Sequence, residues 1–158
     1  MRAVAHIDGG ARPTNPGHSG FAAVIYLDGA MHVISRYIGW HSNNFAEYSG
    51  LIVAVKYARH LGATSLEVFS DSKLVVKQVQ GGWRVKSDDL RPLNSEARKL
   101  LDKYFAGAWS LTWVSREENT VADRICGEAI QAGMFANPWV RRHMKKSTAG
   151  KIVDPFQS

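Results

Sequence analysis

The sequence contains little cysteine, no long apolar run and fewer acidic than basic residues. Its single cysteine, Cys126, excludes a disulfide within the chain and a metal cluster built from cysteines. No apolar run approaches the roughly 20 residues that a membrane-spanning helix needs. Residues 1–10 lead straight into a strand-like pattern that is not typical of a signal peptide. We therefore expect a cytoplasmic protein in a reducing compartment, without membrane contact.

The basic excess is concentrated at one end of the chain. Of the net charge of +6 over 158 residues, +4 comes from residues 141–158. The length suits one domain with a sizeable core, so we predict a domain over residues 1–136 and a basic tail over 137–158. Basic tails often contact the phosphates of nucleic acids. The alternative is a solvated end that only aids solubility.

Apolar periodicity predicts a single α/β domain with five strands and four helices. The predicted strands are 3–8, 21–27, 31–39, 65–70 and 109–114, and the predicted helices are 44–61, 72–80, 87–104 and 117–132. Asp28-Gly29 is a hairpin signal, and glycine and proline mark residues 9–20 as turn-rich. The order β-β-β-α-β-α-α-β-α predicts a five-stranded mixed sheet, with three antiparallel strands first, flanked by helices.

Four acidic residues occupy positions, at strand ends or on apolar helix faces, where a carboxylate is not expected without a specific structural or functional role. Asp8 and Asp71 end the first and fourth predicted strands, and strand ends are where ligands gather in α/β sheets. Glu47 and Asp123 begin the apolar faces of two long helices, where an unpaired carboxylate is costly. Each has an ordinary alternative. Asp8 could be a turn residue and Asp71 a helix cap, while either helical acid could form a buried ion pair.

Together, the four positions favour a metal site over four separate structural roles. Carboxylates gathered at one sheet edge repel and raise each other's pKa values, and a divalent cation removes that penalty. Oxygen ligands without histidine or cysteine favour Mg²⁺ or Mn²⁺. Two such ions can activate a water and stabilise the leaving oxygen of a phosphodiester. The sequence therefore predicts metal-dependent phosphodiester hydrolysis.

Five short motifs, taken in order, resemble the type 1 ribonuclease H family. They are Asp8-Gly9, Asn15-Pro16-Gly17, Ser42-Asn43-Asn44-Phe45-Ala46-Glu47, Asp71-Ser72 and Glu118-Asn119-Thr120-Val121-Ala122-Asp123. The predicted order of strands and helices is also that of the family, and the resemblance covers residues 3–135. The basic protrusion of some members is absent, because residues 81–93 pass quickly from one helix to the next. The chain thus resembles a compact form of the family, with a ribonuclease H-like fold.

This resemblance implies an endonuclease that hydrolyses the RNA strand of an RNA–DNA hybrid, leaving 5′-phosphate and 3′-hydroxyl ends. It implies that Asp8 bridges two Mg²⁺ ions, for which Mn²⁺ would substitute, and that Asp123 holds the ion that binds the attacking water. Glu47 and Asp71 would serve the other ion. We expect a monomer. The alternatives are another metal-dependent nuclease of this fold, of resolvase or exonuclease type, and a non-catalytic hybrid-binding domain.

The resemblance also implies contacts with the hybrid around the start of the first helix. Asn43 and Asn44 would enter the minor groove, where the 2′-hydroxyl distinguishes RNA from DNA. Ser42 would lie near a DNA phosphate. Asn15, from the Asn-Pro-Gly motif, is a further expected contact.

Two departures from the family pattern involve charged residues. Many members carry a glutamine where this chain has Lys73, which can meet a phosphate but cannot reproduce the contacts of an amide. Many also carry a mobile histidine before the last helix. Here that loop is compact, and Arg116 is the candidate for assisting product release; the alternative is an exposed residue in the first helical turn. Ser115 and Glu118 match a capping box, so we expect Glu118 to be structural.

A small patch after Gly81-Gly82 combines an aromatic residue with cations. Trp83, Arg84 and Lys86 lie close together in the sequence, and such a set can stack on sugars or bases and pair with phosphates. We expect this patch to supply some of the nucleic-acid contacts that the missing protrusion would otherwise make. The alternative is that Trp83 packs over the helix that follows.

Overall fold

The computed structural model describes residues 1–136, and the predicted basic tail, 137–158, lies outside the described residues. Five strands and four α-helices follow one another in the predicted order. They are β1 (Arg2–Arg12), β2 (Gly17–Leu27), β3 (Ala30–His41), α1 (Asn43–His60), β4 (Ser65–Ser70), α2 (Lys73–Val79), α3 (Arg91–Phe105), β5 (Trp109–Trp113) and α4 (Thr120–Ala136). A 3-10 turn at Arg116–Glu118 precedes α4.

The strands form one mixed sheet in the order β3-β2-β1-β4-β5. The pairs β1–β2 and β2–β3 are antiparallel, whereas β1–β4 and β4–β5 are parallel. Asp28 and Gly29 have φ angles of 52° and 78°, the left-handed conformation that a two-residue hairpin turn requires. The predicted hairpin and the predicted mixed sheet, with three antiparallel strands first, are confirmed.

Helices cover both faces of the sheet. Successive strand residues point to opposite faces, so Ala5 and Ile7 of β1 join the large core with α1, α2 and α3. On the other face, Ala22 packs against Cys126 and Ile130 of α4. α1 and α4 therefore lie on opposite faces of the sheet.

Residues 9–12 and 17–20 belong to strands, so the prediction of a turn-rich segment over residues 9–20 was wrong at both ends. Gly9 pairs with Phe21 in the β1–β2 ladder. A side chain on Gly9 would collide with the backbone of Ala46 and Glu47. The glycine therefore permits α1 to approach β1 closely, a role that sequence does not distinguish from a turn.

α3 begins at Arg91 rather than at the predicted Ser87. The carbonyl of Ser87 accepts from the N–H groups of Leu90 and Arg91, which forms a turn before the helix. Pro92 then lies in the first helical turn. A backbone N–H has no acceptor within the helix at this position, so proline, which lacks the N–H, is tolerated there. Residues 80–90 join α2 to α3 without a further helix, so the predicted absence of a basic protrusion is confirmed.

α4 begins at Thr120, after the 3-10 turn, rather than at Glu117. Asn119 separates the two elements because its backbone is not helical, with φ −123° and ψ 27°. Its side-chain amide donates to the carbonyl of Ile7 on β1 at 2.8 Å. The side chain of Ser115 makes no capping hydrogen bond, so the predicted capping box with Glu118 was wrong. Within residues 1–136, no helix is both long enough and apolar enough to cross a membrane.

Candidate active site

Two neighbouring strands and two helix starts bring the four predicted acids together, just beyond the last pair of the parallel β1–β4 ladder, Ile7 with Ser70. Asp8 lies on β1 and Asp71 directly follows β4, and these neighbouring strands are parallel, so their carboxyl ends meet at the same edge. Oxygen atoms of Asp8, Glu47 and Asp71 lie within 4.8 Å of one another. Asp123 lies outside that mutual set, but it is close enough for its carboxyl group to raise the pKa of Asp8. The structure thus groups three of the acids tightly, with the fourth beside them.

Glu47 is held in place by hydrogen bonds to both of its carboxylate oxygens. The N–H of Gly9 donates to Oε2 at 2.6 Å, and the hydroxyl of Ser70 donates to Oε1 at 2.6 Å. The side chain is only 2% exposed. Glu47 therefore has a fixed orientation in a buried position, set by the ends of β1 and β4.

Asp71 does not cap α2, so the ordinary role considered for it as a helix cap was wrong. The cap is Ser72, whose hydroxyl accepts from the N–H of Val75 at 3.3 Å. The backbone carbonyl of Asp71 accepts from the indole N–H of Trp113 at 3.1 Å, which holds the end of β4. Its Oδ2 is buried and has no hydrogen-bond partner among the described residues. Asp71 therefore offers an unsatisfied ligand oxygen to the site.

Burial and mutual repulsion make the cluster electrostatically costly. Burial, with the charges of Asp71 and Asp123 beside it, raises the pKa of Asp8 from 3.8 to about 8. Burial and the charge of Asp8 raise the pKa of Glu47 well above its ordinary value, although the Ser70 hydrogen bond opposes the shift. Burial also raises the pKa of Asp71, while the nearby guanidinium of Arg116 lowers it. No lysine or arginine forms a salt bridge with these acids among the described residues.

These residues fit a hard divalent cation. The cluster offers only carboxylate oxygens, one of them buried without a partner among the described residues, and such donors suit Mg²⁺ or Mn²⁺. A bound cation would relieve the repulsion that raises the carboxyl pKa values. Among the described residues, the acids repel one another without a basic partner, and one of their oxygen atoms has no hydrogen bond. A purely structural role explains neither feature.

The predicted hybrid contacts at the start of α1 lie together. The hydroxyl of Ser42 accepts from the N–H of Phe45 at 3.1 Å and so caps α1. The N–H of Asn43 donates to Oδ1 of Asn15 at 2.9 Å, which joins the turn after β1 to the helix. Asn43 and Asn15 are exposed, and Asn44 is half-buried. This arrangement presents a polar surface beside Glu47.

The charged candidates near Asp71 are both exposed. Lys73 opens α2, two residues after Asp71. Arg116 lies in the 3-10 turn, close enough for its charge to act on the Asp71 carboxyl. An exposed residue in the first helical turn was the alternative for Arg116, and it is indeed exposed, although its charge also reaches Asp71.

The aromatic and basic patch lines a cavity beside α1. Trp83, Arg84 and Lys86 lie around a cavity of about 520 Å³ that Asn44 also lines. Trp83 is 47% exposed, so about half of its surface is accessible to a ligand. The cavity therefore connects the patch with the polar surface at the start of α1.

Two residues of the site were not singled out from the sequence. Ser70 is fully buried, and its hydroxyl accepts from the N–H of Ser72 at 3.0 Å as well as donating to Glu47. Asn119 is 1% exposed and ties α4 to β1, while its own Oδ1 is buried without a partner in the described part of the chain. Ser70 lies next to the Asp71-Ser72 motif and Asn119 lies within the Glu118-to-Asp123 motif, but nothing local indicated the contacts of either residue.

Comparison with known proteins identifies related chains over the described domain. A family model described as reverse transcriptase-like matches residues 6–129. A bifunctional protein of Mycobacterium tuberculosis is 41% identical over 135 residues, which is 84% of this chain and 36% of that protein. A ribonuclease HI of Halobacterium salinarum is 36% identical over 132 residues, 82% of this chain and 64% of that enzyme. The chain therefore spans only part of the length of these relatives.

Solved structures show the same fold. The N-terminal RNase H domain of the M. tuberculosis protein superposes with a TM-score of 0.80 at 39% identity, covering 86% of this chain and 98% of that one. The compost-derived LC11-RNase H1, solved in complex with an RNA/DNA hybrid, gives a TM-score of 0.77 at 33% identity, covering 84% and 99%. The ribonuclease H-like fold class is thereby confirmed, and the chain belongs to the type 1 ribonuclease H family.

Proposed function

We propose that this chain is a metal-dependent endonuclease that hydrolyses the RNA strand of RNA–DNA hybrids and leaves 5′-phosphate and 3′-hydroxyl ends. The observation that carries the proposal is the cluster of Asp8, Glu47 and Asp71, whose oxygen atoms lie within 4.8 Å of one another. Relatives named ribonuclease H and a solved relative in complex with a hybrid support the choice of substrate.

Two Mg²⁺ ions, or Mn²⁺ in their place, are the proposed cofactors. Asp8 would be shared between the ions, with Glu47 and Asp71 on one and Asp123 on the other. When bound, such ions supply activation of a water and stabilisation of the leaving oxygen of the phosphodiester. The protein's part is to hold the four carboxyl groups together at one edge of the sheet, where a bound cation would favour their ionised forms.

The chain's own contacts explain how this arrangement is maintained. Hydrogen bonds from Gly9 and Ser70 leave Glu47 little freedom to rotate. Because the pKa of Asp8 is about 8 before metal binds, this carboxyl must release its proton when a cation enters the cluster. Arg116 lies near Asp71, where a cation can attract the newly formed 5′-phosphate and help it leave.

Hybrid selection would occur on the surface around the start of α1. Asn43 and Asn44 carry amides that can read the minor groove, and Asn15 joins the backbone of Asn43 in the same surface. Ser42 and Lys73 would contact phosphates. The 2′-hydroxyl, which is both donor and acceptor, lets such amides distinguish an RNA strand from a DNA strand.

A second contact region would grip the strand that is not cut. The exposed indole of Trp83 beside Arg84 and Lys86 combines a stacking surface with two cations, which suits a sugar–phosphate backbone. We propose that a monomer binds the hybrid with these two regions. The basic tail, 137–158, would add phosphate contacts.

A cleavage panel tests this proposal. A 5′-labelled RNA strand is presented as a hybrid and as duplex RNA, beside labelled duplex DNA, each with and without Mg²⁺. We expect cuts only in the hybrid and only with metal, and fragments that a poly(A) polymerase extends because they end in a 3′-hydroxyl. Cleavage of duplex DNA would instead favour a resolvase or exonuclease type. Hybrid binding without cleavage would favour a non-catalytic domain.

A further inference from the structure

Three buried polar side chains from three helices form a chain of hydrogen bonds beneath the cavity. The hydroxyl of Tyr48 on α1 donates to Oε1 of Gln78 on α2 at 2.7 Å. The amide of Asn94 on α3 donates to the same hydroxyl at 3.0 Å. These three residues, here called the buried triad, are at most 8% exposed.

The buried triad lies on three helices that each contribute residues to the large core. Its neighbours in the sequence include Leu51, Val75 and Leu93, all members of the large core. Apolar side chains would fill the same volume without the free-energy cost of burying polar groups. That cost is small only when every buried polar group is hydrogen-bonded. Such a set fixes the relative positions of its elements, because only one arrangement satisfies all of the groups.

The buried triad also reaches the segment that carries the aromatic and basic patch. Nε2 of Gln78 donates to the backbone carbonyl of Arg84 at 3.5 Å. The next two carbonyls, of Val85 and Lys86, accept from the guanidinium of Arg91 at 3.3 and 3.2 Å. The N–H of Trp83 donates to the carbonyl of Lys77 at 3.2 Å. The segment 83–86 is therefore held by its backbone while the side chains of its patch remain exposed.

The same contacts set the distance between the two walls of the cavity. Asn44 lies four residues before Tyr48 on α1, so both occupy the same helix face. Asn44, Gln78 and the segment that contains Trp83 and Arg84 all line the same cavity. A change in the buried triad would thus alter the spacing between the minor-groove contact and the patch.

We propose that Tyr48, Gln78 and Asn94 are positioning residues that set the hybrid-binding groove between Asn44 and the segment 83–86. This inference rests on the proposed function, because the groove is given the hybrid as its ligand. Among the described residues, no hydrogen bond joins the buried triad to the acid cluster. The buried triad therefore affects the affinity for the hybrid and leaves the hydrolysis step unchanged.

The test substitutes Tyr48→Phe, which removes only the hydroxyl at the centre of the buried triad. The matched control is Tyr104→Phe, which makes the same chemical change on α3 at a ring that contacts Arg59 and Lys103. Steady-state kinetics are measured with Mg²⁺ over a range of hybrid concentrations that reaches saturation, at a temperature well below the melting temperature of each variant. Hydrogen exchange of the backbone amides over residues 81–86 is measured on the same proteins without nucleic acid.

For Tyr48→Phe we expect KM to rise about fivefold with kcat within about twofold of wild type, the scale of removing one hydrogen bond. Exchange over 81–86 should become faster, and Tyr104→Phe should change neither quantity. Gln78→Met, which removes the hydrogen bonds to both Tyr48 and Arg84 while keeping a similar shape, should give a larger rise in KM.

Two results would overturn the inference while the proposed function stands. One is an active Tyr48→Phe protein with a lower melting temperature but an unchanged KM, which would make the buried triad purely structural. The other is a fall in kcat at constant KM. A wild-type protein that neither binds nor cuts the hybrid would instead refute the proposed function, and with it this inference.

Discussion

The hydroxyl of Ser70 lies 2.6 Å from Oε1 of Glu47 and joins the end of β4 to the first turns of α1. Ser70 also accepts from the N–H of Ser72, the residue that caps α2. One buried hydroxyl thus links three elements at the point where the acid cluster forms. It orients a carboxylate proposed to bind metal, as groups behind metal ligands commonly do.

Replacing Ser70 with alanine should weaken metal binding more than it weakens the fold. Glu47 would lose one of two hydrogen bonds that orient it, and its pKa would rise further because the Ser70 hydrogen bond lowers it. We expect the Mg²⁺ concentration for half-maximal activity to increase about tenfold. The control is Ser49→Ala, since Ser49 is a buried serine on α1 whose hydroxyl donates to the carbonyl of Phe45. Equal effects in the two variants would contradict the role given to Ser70.

Stability of the metal-free protein should fall as the pH rises from about 4 to about 8. Over this range the folded state keeps a proton on Asp8, whose pKa is raised from 3.8 to about 8, whereas the unfolded chain releases it. Because its pKa is higher in the folded state, Asp8 lowers the free energy of unfolding progressively as the pH rises from 3.8 to about 8, and no further above that range. Melting temperatures of wild type and Asp8→Asn should diverge with rising pH, with the variant the more stable.

Mg²⁺ should reverse this trend, because a bound cation replaces the proton and binds only the folded state. Millimolar Mg²⁺ should raise the wild-type melting temperature more at pH 8 than at pH 5. A melting temperature that does not depend on metal at either pH would count against the acid cluster as a cation site.

Gly9→Ala should destabilise the protein strongly. The new methyl group would overlap the backbone of Ala46 and Glu47, and backbone cannot rotate aside as a side chain can. We expect a loss of about 3 kcal/mol or more, measured by urea unfolding. Gly10→Ala is the control, because its methyl would lie 3.5 Å from Cδ1 of Ile130, an ordinary contact. Similar stabilities for the two variants would mean that α1 and β1 separate easily.

Deleting residues 141–158 should weaken hybrid binding at low salt. The deleted segment carries +4 of the net charge of +6. Each phosphate that the shortened protein no longer neutralises should reduce the magnitude of the log–log salt slope by about 0.9. KM should rise more than kcat falls. The alternative is that the tail packs against the domain through Trp139, Ile152, Val153 and Phe156. Deletion would then lower the melting temperature and leave the salt slope unchanged.

The sequence predicted the acid cluster because its geometry follows from local rules. The periodicity of apolar residues placed Asp71 after β4 and Glu47 on the inner face of α1. It also placed Asp8 on the neighbouring strand, although β1 continues beyond Asp8 to Arg12. The glycines at 9 and 10 were misread, because the same residue serves a turn and a close approach of two backbones. Only the structure shows which of the two is present.

The supporting contacts could not be predicted, because they join residues that are distant in the sequence. Asn119 and Ile7, whose hydrogen bond fixes the start of α4, are separated by 112 positions. Ser70 looks like an ordinary strand residue until Glu47 is placed beside it. The hydrogen bonds of Tyr48 with Gln78 and Asn94 depend on how three helices pack, which no local pattern records.

The most direct test of the account compares cleavage and binding of one hybrid by wild type, Asp8→Asn, Asp71→Asn and the surface control Asp28→Asn. Each substitution removes one charge, but only the first two alter the acid cluster. We predict that both cluster variants lose metal-dependent cleavage of a 5′-labelled RNA strand while binding the hybrid as tightly as wild type, and that Asp28→Asn remains fully active. Cleavage near the wild-type rate by Asp8→Asn or Asp71→Asn would contradict the assignment of this site.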